Sequence, residues 1–144
     1  MTKPRFIIVA LFIALVVSGG TVAANSGRQL STTLSGAAEV PGPGDPDGRG
    51  TASVTVNIGQ SVVCYRLRVA NIAPAVAAHI HAGTASVSGP VVMGLAAPTG
   101  GQSNGCVSVS RELAKDILTN PASYYVNVHN PAYPAGAVRG QLSK

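Results

Sequence analysis

Three histidines carry most of the chemical potential of this chain, and all fall in two short strand-like segments. His79 and His81 lie in Ala78-His79-Ile80-His81-Ala82-Gly83. His129 closes Tyr124-Tyr125-Val126-Asn127-Val128-His129. On a strand, the one-residue spacing turns both imidazoles of the first segment to one face and sends Ile80 into the core. In the second, Tyr124, Val126 and Val128 face one way, and Tyr125, Asn127 and His129 the other. If the two strands lie side by side, three imidazoles converge, and three neutral ring nitrogens suit a copper or zinc ion. Such sharing requires nitrogens within roughly 3–4 Å of one another at ordinary bond lengths. Glu39, in a strand-like context near the start of the chain, is the carboxylate available to complete or orient the set.

A second reading stands beside this one. A His-x-His on a strand is often structural, and these rings could hydrogen-bond the backbone of the glycine-rich loop 83–89. Arg139 has a structural role too: paired bidentately with a carboxylate such as Glu39, it would pin the last strand. Other chemistry is not signalled. The chain has no Gly-x-Ser-x-Gly elbow, no paired acids in a glycosidase context and no phosphate-cradling loop. Nothing in the sequence points to a serine–histidine hydrolase, and a metal-dependent oxidoreductase, the third function to weigh, would need redox cycling of a bound copper with an open coordination position.

The elements that must position these residues are short strands and turns. Residues 51–58 alternate, with Ala52, Val54, Val56 and Ile58 on one side and Thr51, Ser53, Thr55 and Asn57 on the other, as in a half-buried antiparallel strand. Gly59-Gln60 reads as a two-residue type II′ turn. In residues 61–70, Val63, Tyr65, Leu67 and Val69 face the core, and Cys64, Arg66 and Arg68 face outward. Cys106 is likewise on the polar side of its strand. Residues 41–50 and 96–105 read as flexible loops, with Asp45 and Asp47 as turn formers. One helix is expected over residues 111–118, capped by Ser110, favoured by Glu112 in its first turn and ended by Asn120-Pro121. Its apolar stripe of Leu113, Ile117 and Leu118 should lie on a sheet edge or close one barrel end. The pattern predicts an all-β Greek-key sandwich or barrel of about seven to eight antiparallel strands with one short helix.

Residues 1–24 read as a signal peptide. Lys3 and Arg5 precede an apolar run over residues 6–17, and Val22-Ala23-Ala24 offers a cleavage site before Asn25. The run is too short for a comfortable membrane span. Residues 25–144 then form a single exported domain, secreted or periplasmic, with no membrane span after cleavage. The full chain has ten basic and five acidic residues. Without the leader the net charge is +3, and the basic residues are scattered without interleaved aromatics, so nucleic-acid binding has no support. In an oxidising compartment Cys64 and Cys106 are expected to form a disulfide, closing a loop of about 43 residues that chain entropy values at roughly 4 kcal/mol.

Several motifs in order resemble the CHRD domain, the module named after chordin. They are Leu34-Ser35-Gly36-Ala37-Ala38-Glu39-Val40-Pro41; Gly50-Thr51-Ala52; the His-x-His segment with Gly83; Gly89-Pro90-Val91-Val92; and Tyr125-Val126-Asn127-Val128-His129 leading into residues 134–142. The pattern departs at Gly42, Ser86 and Ala137, where the family often has proline, glycine and an acidic residue. The resemblance implies an exported β-sandwich module without a settled activity. Residues 65–83 also resemble the copper-site strand of Cu,Zn superoxide dismutase, which supports the architecture and copper or zinc affinity; the histidines are too few for a dinuclear centre. The expected function is an exported module that binds copper or zinc through His79, His81 and His129, with Glu39 and Arg139 behind them. The alternative is a non-catalytic extracellular module that contacts a protein or surface polymer and uses its histidines structurally.

Overall fold

Alternating Val, Leu and Ile positions dictate the architecture. In the computed structural model, which describes residues 27–144, eight strands and one α-helix follow in the order β1 (Arg28–Ser35), β2 (Arg49–Asn57), β3 (Val62–Ala70), β4 (Ala77–Ala82), β5 (Val91–Leu95), β6 (Gln102–Ser108), α1 (Arg111–Thr119), β7 (Tyr124–Asn130) and β8 (Tyr133–Gln141). The expected leader lies outside the described residues. All pairings are antiparallel, in the order β5-β4-β7-β8-β1-β2-β3-β6. The non-sequential neighbours β6 beside β3 and β8 beside β1 give the Greek-key crossing. The sheet rolls into a nearly closed barrel. At the seam, Ala96 donates its N–H to the Tyr65 hydroxyl at 2.8 Å, and the Ser103 hydroxyl donates to the Ala96 carbonyl at 2.7 Å.

The core is aliphatic. Val54, Val63, Leu67, Ile80, Val126, Val128 and Val138 are fully buried. Each contributes roughly 1.5–3 kcal/mol by leaving water. Helix α1 turns Ala114, Ile117 and Leu118 inward, and Leu113 is only partly buried. Ser110 caps the helix by accepting the Leu113 N–H at 3.0 Å.

The structure corrects three local expectations. First, the β2–β3 connection is a four-residue loop, not a two-residue type II′ turn, because Asn57 pairs with Val62 and the positive φ (54°) is at Ser61. Asn57 makes this loop by accepting the Gln60 N–H at 3.0 Å. Second, the 41–50 segment is held down. Gly44 donates to Gly36 at 3.0 Å and Asp45 to Ala137 at 2.9 Å, Asp45 is buried, and Arg49 already belongs to β2. Main-chain bonds replace the hydrophobic anchors the segment lacks. Third, much of residues 96–105 is ordered: β6 begins at Gln102, and Thr99 donates its hydroxyl to Ala75 at 2.8 Å. Cys64 and Cys106 pair directly across β3 and β6 and form the disulfide.

Candidate metal centre

Strand pairing brings the histidines together. β4 and β7 are neighbours, with His79 opposite Asn127, His81 opposite Tyr125 and Ala77 opposite His129. Strand parity puts all three rings on the outer face, on the other side of the sheet from Ile80, Val126 and Val128. Register shifts flank them, one between Ile80 and His81 on the β4–β5 ladder and one between Val128 and Asn130 on the β7–β8 ladder. Such irregularities re-aim side chains beside functional sites.

One ligating nitrogen from each histidine lies within 4.8 Å of the others, a wider bound than the roughly 3–4 Å expected for nitrogens sharing an ion. His79 Nδ1 and His129 Nε2 are 3.1 Å apart, inside the range for a shared ion. His81 Nδ1 donates to the Gly89 carbonyl at 2.9 Å, and His129 Nδ1 donates to the Pro134 carbonyl at 3.1 Å. Each carbonyl fixes the tautomer, since a neutral ring that donates from Nδ1 keeps its lone pair on Nε2. The Nε2 of His81 is buried and has no hydrogen-bond partner among the described residues. That orphaned acceptor fits an ion beside it. His79 is the exception. With the Nε2 of His129 an acceptor, His79 must donate from Nδ1, so an ion held by Nδ1 requires the proton to move to its Nε2.

Burial, and then the nearby charge of His81, holds His79 below the usual histidine range. Burial does the same to His129, against an opposing effect of the Pro134 carbonyl. Both shifts favour the neutral ring, the form that binds metals.

The next layer of residues is supplied by β7 and β8. The Tyr125 ring stacks on His81, with centroids 4.8 Å apart and planes 8° from parallel. On its other face lies the Arg139 guanidinium, 3.4 Å from the ring centroid. Arg139 Nη2 donates to the carbonyls of Thr84 (2.7 Å) and Val87 (2.9 Å). Gln141 Nε2 donates to those of Gly83 (2.6 Å) and Ala122 (2.7 Å). β8 thus clamps the 83–89 loop, and that loop presents the Gly89 carbonyl to His81. Gly89 also donates its N–H to the Tyr125 hydroxyl at 3.0 Å. Only glycine fits there, because a Cβ would lie 1.6 Å from the Ala82 carbonyl oxygen.

Glu39 and Arg139 do not form the bidentate pair expected of them. Arg139 is 2 % exposed and its Nη2 is given to loop carbonyls; Nη1 and Glu39 Oε1 lack partners among the described residues. Glu39 follows the short 3₁₀ turn Gly36–Ala38, and its carboxylate lies over Gly136, where a Cβ would come within 2.3 Å of Oε2. Burial pushes its pKa up to about 7, against the opposing pull of Arg139 and a hydrogen bond from Asn127. It forms no hydrogen bond with any of the three histidines among the described residues. With Arg139 and Gln141 it lines a separate cleft of about 210 Å³. Sequence reasoning placed Tyr125 on the histidine face without giving it a role and missed Pro134 and Gln141, whereas the bond from His81 to Gly89 is the one expected with the backbone of loop 83–89. Parity already aligned Tyr125 with His129, whereas the carbonyl partners carry no side-chain signal.

Neither the curated proteins nor the solved structures yield a match to this chain. Residues 30–142 match the family model described as the CHRD domain, and the chain belongs to that family.

Proposed function

We propose that this CHRD domain is exported and binds a single copper or zinc ion through His79 Nδ1, His81 Nε2 and His129 Nε2. The observation that carries this reading is the closeness of the three nitrogens, within 4.8 Å of one another, with two of the rings oriented by main-chain carbonyls. Three imidazoles leave a coordination position open, and a bound ion would supply Lewis-acid or, for copper, redox chemistry there. The chain's own residues hold two rings in the required tautomer and favour the uncharged form of His79 and His129. Stacked Tyr125 limits rotation of His81. Export is supported by the leader-like residues 1–24 and by the disulfide, which belongs to oxidising compartments.

Titration of residues 25–144 with Cu(II), Cu(I) and Zn(II) tests the reading. One ion per chain is expected, with sub-micromolar affinity that each His→Ala change weakens. Stoichiometry and affinity unmoved by all three changes would reject it.

One observation favours the second reading, a non-catalytic binding module with structural histidines. The 3.1 Å contact between His79 and His129 is also a good hydrogen bond across β4 and β7. On that reading the His variants lower the melting temperature equally with and without metal. On the metal reading, added metal raises it for the wild type only.

A further inference from the structure

The barrel carries a second organised surface, far in character from the histidines. On β1, β2, β3 and β6, Leu30, Val54, Val63 and Leu67 point inward, so the alternate positions point out. Register aligns those positions across four strands. One rung is Ser31, Ser53, Arg66 and Asn104; the next is Thr33, Thr51, Arg68 and Gln102. Arg49, paired with Ala70, heads a third. Successive rungs on a strand are about 7 Å apart, so the exposed Arg66 and Arg68 leave the backbone of β3 one rung apart, and the exposed Arg49 leaves the neighbouring strand β2 one rung further on.

Two troughs lie over this face, of about 670 and 630 Å³, and they share Ser53 and Arg66. They make one open groove across the sheet, a shape for a chain-like ligand and not for an enclosed small molecule. No carboxylate lines either trough. The acidic residues are elsewhere: Glu39 in its own cleft, Asp45 and Asp47 in the loop before β2, Glu112 and Asp116 on α1. The face also lacks a stacking platform. Its one aromatic neighbour, Tyr65, is buried, and its hydroxyl is engaged by Ala96. A single-stranded nucleic acid would use exposed rings for its bases, and the same want of rings leaves a neutral sugar chain little to stack on.

We propose that this face binds an acidic polysaccharide, a polymer with carboxylates on successive sugars. Arg49, Arg66 and Arg68 pair with the carboxylates. The flanking Ser, Thr, Asn and Gln side chains hydrogen-bond the ring hydroxyls. The Cys64–Cys106 disulfide crosses the same face and fits the extracytoplasmic setting in which such polymers occur. The proposal does not depend on metal binding by the histidines.

Affinity electrophoresis of the folded domain through gels containing polygalacturonate, dextran or single-stranded DNA tests it. The wild type is expected to be retarded by polygalacturonate and not by dextran, and only weakly by DNA. The Arg66→Gln/Arg68→Gln double variant should bind at least about 10-fold more weakly, and about 0.3 M salt should weaken the wild type likewise. The Arg66→Lys/Arg68→Lys variant, which keeps the charge, should recover part of the binding. An Arg111→Gln/Lys115→Gln variant loses the same charge from α1 and should bind as the wild type does. The proposal is overturned if polygalacturonate fails to retard the wild type, if dextran or DNA binds as tightly, or if the two double Gln variants lose binding equally.

Discussion

On β1, β2, β3 and β6 the outward side chains stand in open rungs, and Arg66 and Arg68 extend into solvent. On β4, β7 and β8 the outward side chains are roofed by the 83–89 loop and the segment around Glu39, and Arg139 is 2 % exposed. The alternation is the same on both flanks; the cover differs. Under the roof a polar group must find a partner or shift its protonation. Hence Arg139 donates to two loop carbonyls, His81 to a third, and the carboxyl of Glu39 is pushed up to about 7. In the open, hydroxyls and guanidiniums remain solvated and free for a ligand.

The contrast can be broken most strongly at the disulfide. Replacing Cys64 and Cys106 with Ala should lower stability by about 2–4 kcal/mol in urea unfolding, while metal affinity of the folded domain stays within a factor of two or so. A large loss of metal affinity would show that the two flanks are not independent. Next in size is His81→Ala, expected to weaken Cu or Zn binding by more than about 100-fold in chelator competition, beyond the 10- to 100-fold range of outer partners. Tyr125→Leu removes the stacking face and the hydroxyl bound to Gly89, so it should fall in that outer range, near 10-fold. Equal losses for both variants would mean that the stack, not ligation, dominates.

The smallest effect sharpens the comparison through pH. The folded state lifts the Glu39 pKa from 4.5 to about 7, so between those values it binds a proton that the unfolded chain has released. Stability therefore falls as pH rises across that window. Glu39→Gln should abolish this slope and stabilise the protein at pH 8 by on the order of 1–2 kcal/mol, allowing for solvent at the cleft. His79 and His129 act with the opposite sign. Their lowered pKa values remove stability as pH falls below the usual 6.5. Urea midpoints for wild type and Glu39→Gln between pH 4 and 8 separate the two contributions.

Much of this was legible in the residue order. Period-two alternation identified β2 and β3, their inward faces and the outward cysteines. The single-residue gap between His79 and His81, with the parity of His129, gave the shared face. What remained hidden depends on main-chain geometry. The fixation of Asp45 on Ala137, the register shifts beside the histidines and the carbonyl of Pro134 involve groups every residue has, so composition does not mark them. Glu39 and Arg139 were found as a neighbouring pair, but not the loop carbonyls that compete for the guanidinium. Those carbonyls come within reach only once the 83–89 loop folds back over β8.

The seam between β5 and β6 has a consequence for motion. No ladder joins these strands among the described residues; Ala96, just after β5, is fastened by a phenol from β3 and a serine hydroxyl from β6. A cylinder closed by a clasp opens at the clasp first, because fewer cooperative bonds must break there. Amide exchange should then be fastest along β5 and slowest along β2 and β3, which are paired on both sides along their length. β4, which bears two of the imidazoles, is the next strand in from the opening. On the other side of the seam β6 is tied to β3 by the Cys64–Cys106 disulfide, whereas β5 has no such tie, so the histidine flank can breathe while the arginine rungs keep their spacing.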